Sequence, residues 1–260
     1  MSGWTIVYGA LVAMVQPDMK KLVAYSSVSH LGFVMLGIAS LNAVALSGAV
    51  YQMVGHGLST GALFLLVGVV YERRHTRLIS EYGGLWKQVP RYAVCFLVVM
   101  LASIGLPGLS GFVGEFLILI GAFDASPWLA AGAVSGVVLG AAYMLRMYQR
   151  VMFGELDERK NGQLEDLHAG EIVVLAPLLA LIVVMGVYPK PFLGMIETSV
   201  AETLQLATGG RESAPVSDTF AAACTGETSA EAEAGACSGT TSSAPRVEHE
   251  APAAGHGGAH

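Results

Sequence analysis

The sequence predicts an all-α polytopic membrane protein with about six transmembrane helices, the fourth of them discontinuous. Three features predict it. With 53% hydrophobic residues, 13% charged residues and a mean hydropathy of +0.58, the chain is too apolar for an ordinary soluble domain. Its apolar residues gather into six runs joined by short polar or basic connections. One run, LASIGLPGLSGFVGEFLILIGAF from Leu101 to Phe123, is apolar on both sides of Pro107, Gly108, Gly111 and Gly114. Proline lacks an amide donor and glycine lacks a side chain, so Leu106 to Gly111 should divide a membrane helix into two half-helices. Such a break survives only where protein or trapped water satisfies the freed backbone groups.

The runs are judged against the roughly 20 residues that span a bilayer. The first, Trp4 to Gln16, is short. It has no Lys or Arg before it, unlike a secretory leader, and reads as a helix entered part-way. Leu22 to Leu41 and Ala43 to Val70 follow, parted by a tight turn at Asn42. The broken segment runs from about Tyr92 to Phe123. Trp128 to about Tyr148 is the fifth and Ile172 to Tyr188 the sixth. Beyond Pro189 and Pro191, Phe192, Ile196, Val200 and Leu204 recur four apart, which suits a short helix on the membrane surface. The expected division is a helical membrane domain over 1–191, an interfacial helix over 192–207 and a disordered acidic tail over 208–260, rich in Ala, Gly, Ser and Thr.

The net charge of -6 belongs mostly to that tail. All but two of the 14 Lys and Arg precede residue 197, whereas nine of the 20 Asp and Glu lie from residue 197 onward. Lys20 and Lys21, then Arg73, Arg74, Arg77, Lys87 and Arg91, then Arg146, Arg150, Arg159 and Lys160 fall in alternate connections. The positive-inside rule puts those loops in the cytoplasm and both termini on the opposite side. The charged group Glu72, Arg73, Arg74, His75 and Arg77 reads as a solvated helix cap, with a docking surface or proton entry point the alternative. Of the three cysteines, Cys95 lies in an apolar run and Cys224 and Cys237 in the tail, with no zinc or haem spacing. The tail pair is read as free thiols, or as a disulfide if it lies outside the cytoplasm. His249, His256 and His260 read as solvated, with loose metal binding the alternative. No metal or nucleic-acid site is expected.

Polar groups inside apolar helices carry the functional signal. Ser26, Ser29, His30 and Phe33 fall at i, i+3, i+4 and i+7, and Gln52, His56 and Thr60 fall four apart with Ser59 alongside. Counted at about 1.5 Å per residue, both histidines lie near mid-membrane. Glu115, counted the same way, lies just beyond the break in the outer half of its segment. A membrane acid is a functional-site hypothesis by default, and histidine exchanges protons near neutral pH. His30, His56 and Glu115 could form a proton-conducting line. The alternatives are packing histidines satisfied by neighbouring helices and a glutamate that only holds the broken backbone together.

The strings QPDMKKLVAYSSVSHLGFV, MVGHGLSTGALFLLVGVVYERRHTR, EYGGLW and LASIGLPGLSGFVGEF resemble the antiporter-like proton-channel subunits of respiratory complex I, most nearly the subunit M, or chain 4, branch. The resemblance runs in order from residue 3 to about 195. It implies a fold of fourteen transmembrane helices with two inverted repeats of five, each holding a broken helix, of which this chain looks like the ninth to fourteenth. His30, His56 and Glu115 fall on the family's two central histidines and on the acid of the second broken helix, where related subunits often carry lysine. The first broken helix with its lysine, that lysine's acid partner and the central lysine of the next helix would precede Met1. The acidic tail has no family counterpart.

The resemblance thus implies the C-terminal part of a proton-translocating subunit of NADH-quinone oxidoreductase in an energy-transducing membrane, such as a bacterial inner membrane. No Gly-rich dinucleotide loop, cysteine set or flavin site is recognisable. NADH, FMN, iron-sulfur clusters and quinone are therefore expected on partner subunits. Other partners expected are the remaining membrane-arm subunits, a portion or protein supplying the first eight helices, and lipid. A subunit of a cation/proton antiporter or membrane-bound hydrogenase complex is one rival, disfavoured by Glu115 and the YERRHTR string; a non-conducting structural fragment is another.

Overall fold

The computed structural model describes residues 2–156, 158–162 and 164–208. Among them no strand occurs and every element is helical. Helix α1, Ser2–Met14, is 13 residues long, about 20 Å, and falls short of a bilayer core. It stops two residues before the expected Gln16, ahead of Pro17. Asp18 then starts α2, Met19–Ala39. One carboxylate oxygen accepts from the amides of Lys20 at 2.8 Å and Lys21 at 3.2 Å, which lets the helix begin three residues before Leu22. The short turn at 40–42 ends in Asn42, whose side chain accepts from Ala45 N at 2.7 Å and donates to the Gly121 carbonyl at 2.7 Å. It therefore caps the helix that follows and pins it to Gly121.

Helix α3, Ala43–Arg74, continues a full turn past the expected Val70 and ends on His75 in the left-handed region at φ 52°. A one-turn helix α4, Leu85–Gln88, precedes the broken pair, α5, Pro90–Ile104, and α6, Ser110–Ala125. Neither half alone reaches bilayer length, and the break between them is Gly105 to Leu109. Gly111, expected in the break, is instead inside α6. A Cβ there would collide with the Ala102 carbonyl, so this glycine serves the close approach of α6 to the end of α5. The remaining helices are α7, Pro127–Met152, the one-turn α8, Glu158–Asn161, α9, Ala169–Val187, and α10, Lys190–Thr208. Helices α2, α3, α7 and α9 are each long and apolar enough to cross a membrane.

Packing centres on α3, which lies against α2, α5, α6, α9 and α10, while α1 fits between α2 and α7. One buried cluster joins Leu63 and Leu66 of α3 to Tyr92, Phe96 and Met100 of α5 and Met144 and Tyr148 of α7. A second joins Ile6, Phe33, Leu36, Ala49, Ile118 and Ala133. The outward faces stay apolar: Trp4, Trp128, Val138, Val173 and Val187 are all more than 60% exposed, as lipid contact requires. The interfacial helix expected over 192–207 begins two residues earlier. It buries Leu193, Val200 and Leu204, while Phe192 and Ile196 are only partly covered. The acidic tail beyond 208, with Cys224, Cys237, His249, His256 and His260, lies outside the described residues.

The basic end of α3 is more than a solvated cap. Arg73 Nη2 donates to both Glu171 oxygens, at 2.7 and 3.0 Å, and to the Asp166 carbonyl at 3.2 Å. The Asp166 carboxylate accepts from the amides of Arg91 and Tyr92, each at 3.0 Å. It thereby caps α5, a helix whose own preceding residue, Val89, offers no side-chain cap. Helices α3, α5 and α9 are thus tied at one boundary. Asp166→Ala should destabilise this corner by about 1 kcal/mol, the usual cost of a lost N-cap, read as a lower thermal unfolding midpoint in detergent.

Candidate functional site

The site forms where α2, α3 and α6 meet beside the break. Glu115 stands in the second turn of α6 and is 5% exposed. It reaches this position because α6 lies very close to α3: a Cβ on Gly114 would come within 2.8 Å of the Gln52 Cα, so only glycine permits that approach. The Gln52 amide then donates to Glu115 Oε1 at 3.2 Å. The same oxygen meets His30 Nδ1 at 3.0 Å. The other carboxylate oxygen lies against Gly105, the left-handed residue at φ 81° that ends α5. The acid therefore sits at the break itself and at the depth of His30, not in the outer half of its segment. Counting rise along a helix fails across five residues that do not follow a helical path.

His30 is 6% exposed, and its ring centroid lies 5.0 Å from that of half-buried His56, tilted 38°. Thr60 Oγ1 reaches the His56 ring nitrogens at 3.2 Å. The structure therefore brings together Glu115, His30, His56, Gln52 and Thr60. Ser26 and Ser59 donate to carbonyls of their own helices, Val23 at 2.7 Å and His56 at 3.3 Å. Ser29 donates to the Ile6 carbonyl at 2.8 Å, stapling α2 to α1. These three hydroxyls spend their protons on the backbone. Pro107 and Gly108, the latter at φ 92°, shape the break without touching the carboxylate.

Two residues in this neighbourhood escape sequence reasoning. Gly105 was not distinguishable among several glycines, although its place one residue after an apolar run is the pattern of a helix C-cap. Tyr143, buried on α7, has a buried hydroxyl with no hydrogen-bond partner among the described residues; an aromatic in an apolar helix gives no sequence signal.

Chemically, the Glu115–His30 contact sets a carboxylate oxygen 3.0 Å from an imidazole nitrogen in a buried site, a distance that one hydrogen bond spans. Charging both imidazoles at once would place like charges about 5 Å apart, a repulsion of about 3 kcal/mol at an effective dielectric of about 20. The spacing therefore disfavours a charge on both rings at once. Among the described residues no three His, Cys, Asp or Glu side chains gather as a metal ion would require.

An all-helical body with apolar outer faces, a broken helix and a buried acid–histidine row defines a polytopic membrane protein. Residues 1–140 match the family described as "NADH:quinone oxidoreductase/Mrp antiporter, TM", and the chain belongs to that family. It is 49% identical over 205 residues to "NADH-quinone oxidoreductase subunit M" of Rhodobacter capsulatus, a match covering 79% of this chain and 40% of that protein. Among solved structures it resembles a chain of respiratory complex I from Thermus thermophilus, at 41% identity and TM-score 0.70, covering 78% of this chain and 43% of that one. It also resembles a chain of the Mrp complex from a Dietzia species, at 28% identity and TM-score 0.65, covering 78% of this chain and 22% of that one. The chain thus spans less than half the length of these relatives.

Gly105→Ala should disturb the site more than the fold. The substitution forces alanine into a left-handed conformation costing about 1–2 kcal/mol, and its methyl would lie 2.7 Å from Glu115 Oε2. The Glu115 carboxyl band in infrared spectra should shift, whereas Gly132→Ala on α7, where a Cβ meets nothing within 4 Å, should leave it unchanged.

Proposed function

We propose that this chain is the C-terminal part of a proton-translocating membrane-arm subunit of a respiratory NADH-quinone oxidoreductase. The observation that carries the reading is the buried His30–Glu115 pair, 3.0 Å apart beside an interrupted helix and continued by His56 and Thr60. Burying an ionisable pair in an apolar site is costly unless it is well compensated. This one has a ring neighbour through which charge can be displaced. Glu115 takes up and releases the proton as neighbouring charges shift, and His30 and His56 relay it along mid-membrane. The chain carries proton transfer only; NADH oxidation and quinone reduction belong to partner subunits, with FMN and iron-sulfur clusters there. Similarity to subunits of multi-protein membrane complexes supports this division.

The proton row needs a continuation that the remaining length of its relatives would supply, from the same polypeptide or from a separate partner. Glu115→Gln, which keeps side-chain size and the contact with Gln52, should lower proton pumping by the intact complex about tenfold or more. Complex assembly should persist. Undiminished pumping in quinone-reducing membrane vesicles would reject the conduction role.

A cation/proton antiporter subunit is the second reading, favoured by the resemblance to the Mrp complex chain. Sodium-driven proton exchange by vesicles lacking NADH would select it. On either reading the basic connections face the cytoplasm and the described ends of the chain face the other side. A cysteine in place of Lys87 should react with a membrane-impermeant maleimide only from the cytoplasmic side, and one in place of Asp124 only from the opposite side.

A further inference from the structure

We propose that Tyr51 of α3 and Gly186 of α9 are positioning residues for Glu115, fixing the carboxylate from two sides through one point on α9. Their effect on function rests on the reading that Glu115 carries protons. Gly186 acts through the break. A Cβ on Gly186 would collide with the Gly108 carbonyl and the Leu109 backbone, so the end of α9 lies on the break with no side chain between them. The stretch it touches is a short loop folded on itself. Gly105 N donates to the Ala102 carbonyl at 3.3 Å, Leu106 N to Leu101 at 3.0 Å and Leu109 N to Leu106 at 3.1 Å. The first residue of the loop, Gly105, is the one that lies against Glu115 Oε2. The seating of Gly108 and Leu109 on Gly186 therefore decides where Gly105 meets the acid.

Tyr51 acts through Gln52. Its hydroxyl donates to the Met185 carbonyl at 2.5 Å. Within α9 that carbonyl would ordinarily accept from the residue four places on, which is Pro189 and has no amide hydrogen. A buried carbonyl left without a donor is costly, and Tyr51, itself 2% exposed, supplies one. The next residue along α3 is Gln52, which donates to Glu115 Oε1 at 3.2 Å. Successive side chains on a helix project about 100° apart, so a single turn of α3 sends Tyr51 to α9 and Gln52 to α6. Met185 and Gly186 are neighbours in sequence. The contacts on both oxygens of Glu115 thus lead back to one point on α9, and every one of them is internal to this chain.

The test uses the intact membrane complex that contains this chain. Infrared difference spectra between its resting and actively pumping states would be recorded, with the Glu115 carboxyl band identified as the one lost in Glu115→Gln. Tyr51→Phe keeps the ring and its packing and removes only the hydroxyl. Gly186→Ala pushes the end of α9 off the break. Each should shift the Glu115 band and lower pumping per assembled complex about tenfold, because a misplacement of about 1 Å remote from the chemistry can cost that much or more. Gly170→Ala, at the other end of α9 where a Cβ meets nothing within 4 Å, should change neither. A merely structural role would lower the yield of assembled complex and leave the band of the remainder in place. An unshifted band in assembled Tyr51→Phe complex would overturn the proposal, and this variant decides alone if Gly186→Ala fails to assemble. A shifted band together with undiminished pumping in Glu115→Gln would reject the conduction role of Glu115 while leaving its positioning by α9 intact.

Discussion

The constraint on which this structure depends is that a carboxylate and five residues of non-helical backbone share the interior of an apolar bundle. Neither is tolerable alone in hydrocarbon. Placed together they compensate each other in part. Glu115 receives the Gln52 amide and contacts the His30 ring, and its second oxygen fills the space that the missing side chain of Gly105 leaves beside the break. The glycines of α6 then follow from the geometry this demands. Gly114 brings the helix onto Gln52, and Gly111 brings it onto the Ala102 carbonyl.

The remaining helices hold that centre at fixed distances. Helix α3 contributes Gln52 and His56 to the row and also reaches α2, α5, α6, α9 and α10, so it is both wall and chassis. Helix α1 braces α2 through the Ser29–Ile6 contact. Helix α9, by contrast, shows most of its surface: of its most apolar 18-residue window only 17% is buried. It behaves as an outer post, held to the rest through Glu171 and Arg73.

Much of this was legible in the residues. Long apolar runs marked α2, α3, α7 and α9 because a membrane helix needs only length and hydropathy, and the wrong residues show as interruptions. His30, His56 and Glu115 stood out because few titratable groups occur within those runs, and the structure places them in one row. Depth was not legible across the break, since Gly105 to Leu109 do not advance by a helical rise. Nor was the division of labour among hydroxyls: Ser26, Ser29 and Thr60 look alike in sequence, yet only Thr60 reaches an imidazole. The Asp166 cap on α5 joins residues more than seventy positions apart and leaves no local trace. The same holds for Arg73, which sequence alone could place only in a charged cluster.

Helix α3 is a single uninterrupted rod of 32 residues, and it carries both the clamped Arg73 and the half-buried His56. The two are seventeen residues apart on it, about 26 Å along the axis. The clamp at the membrane boundary and the imidazole of the buried row therefore belong to one continuous element, which fixes the distance between them along the helix axis.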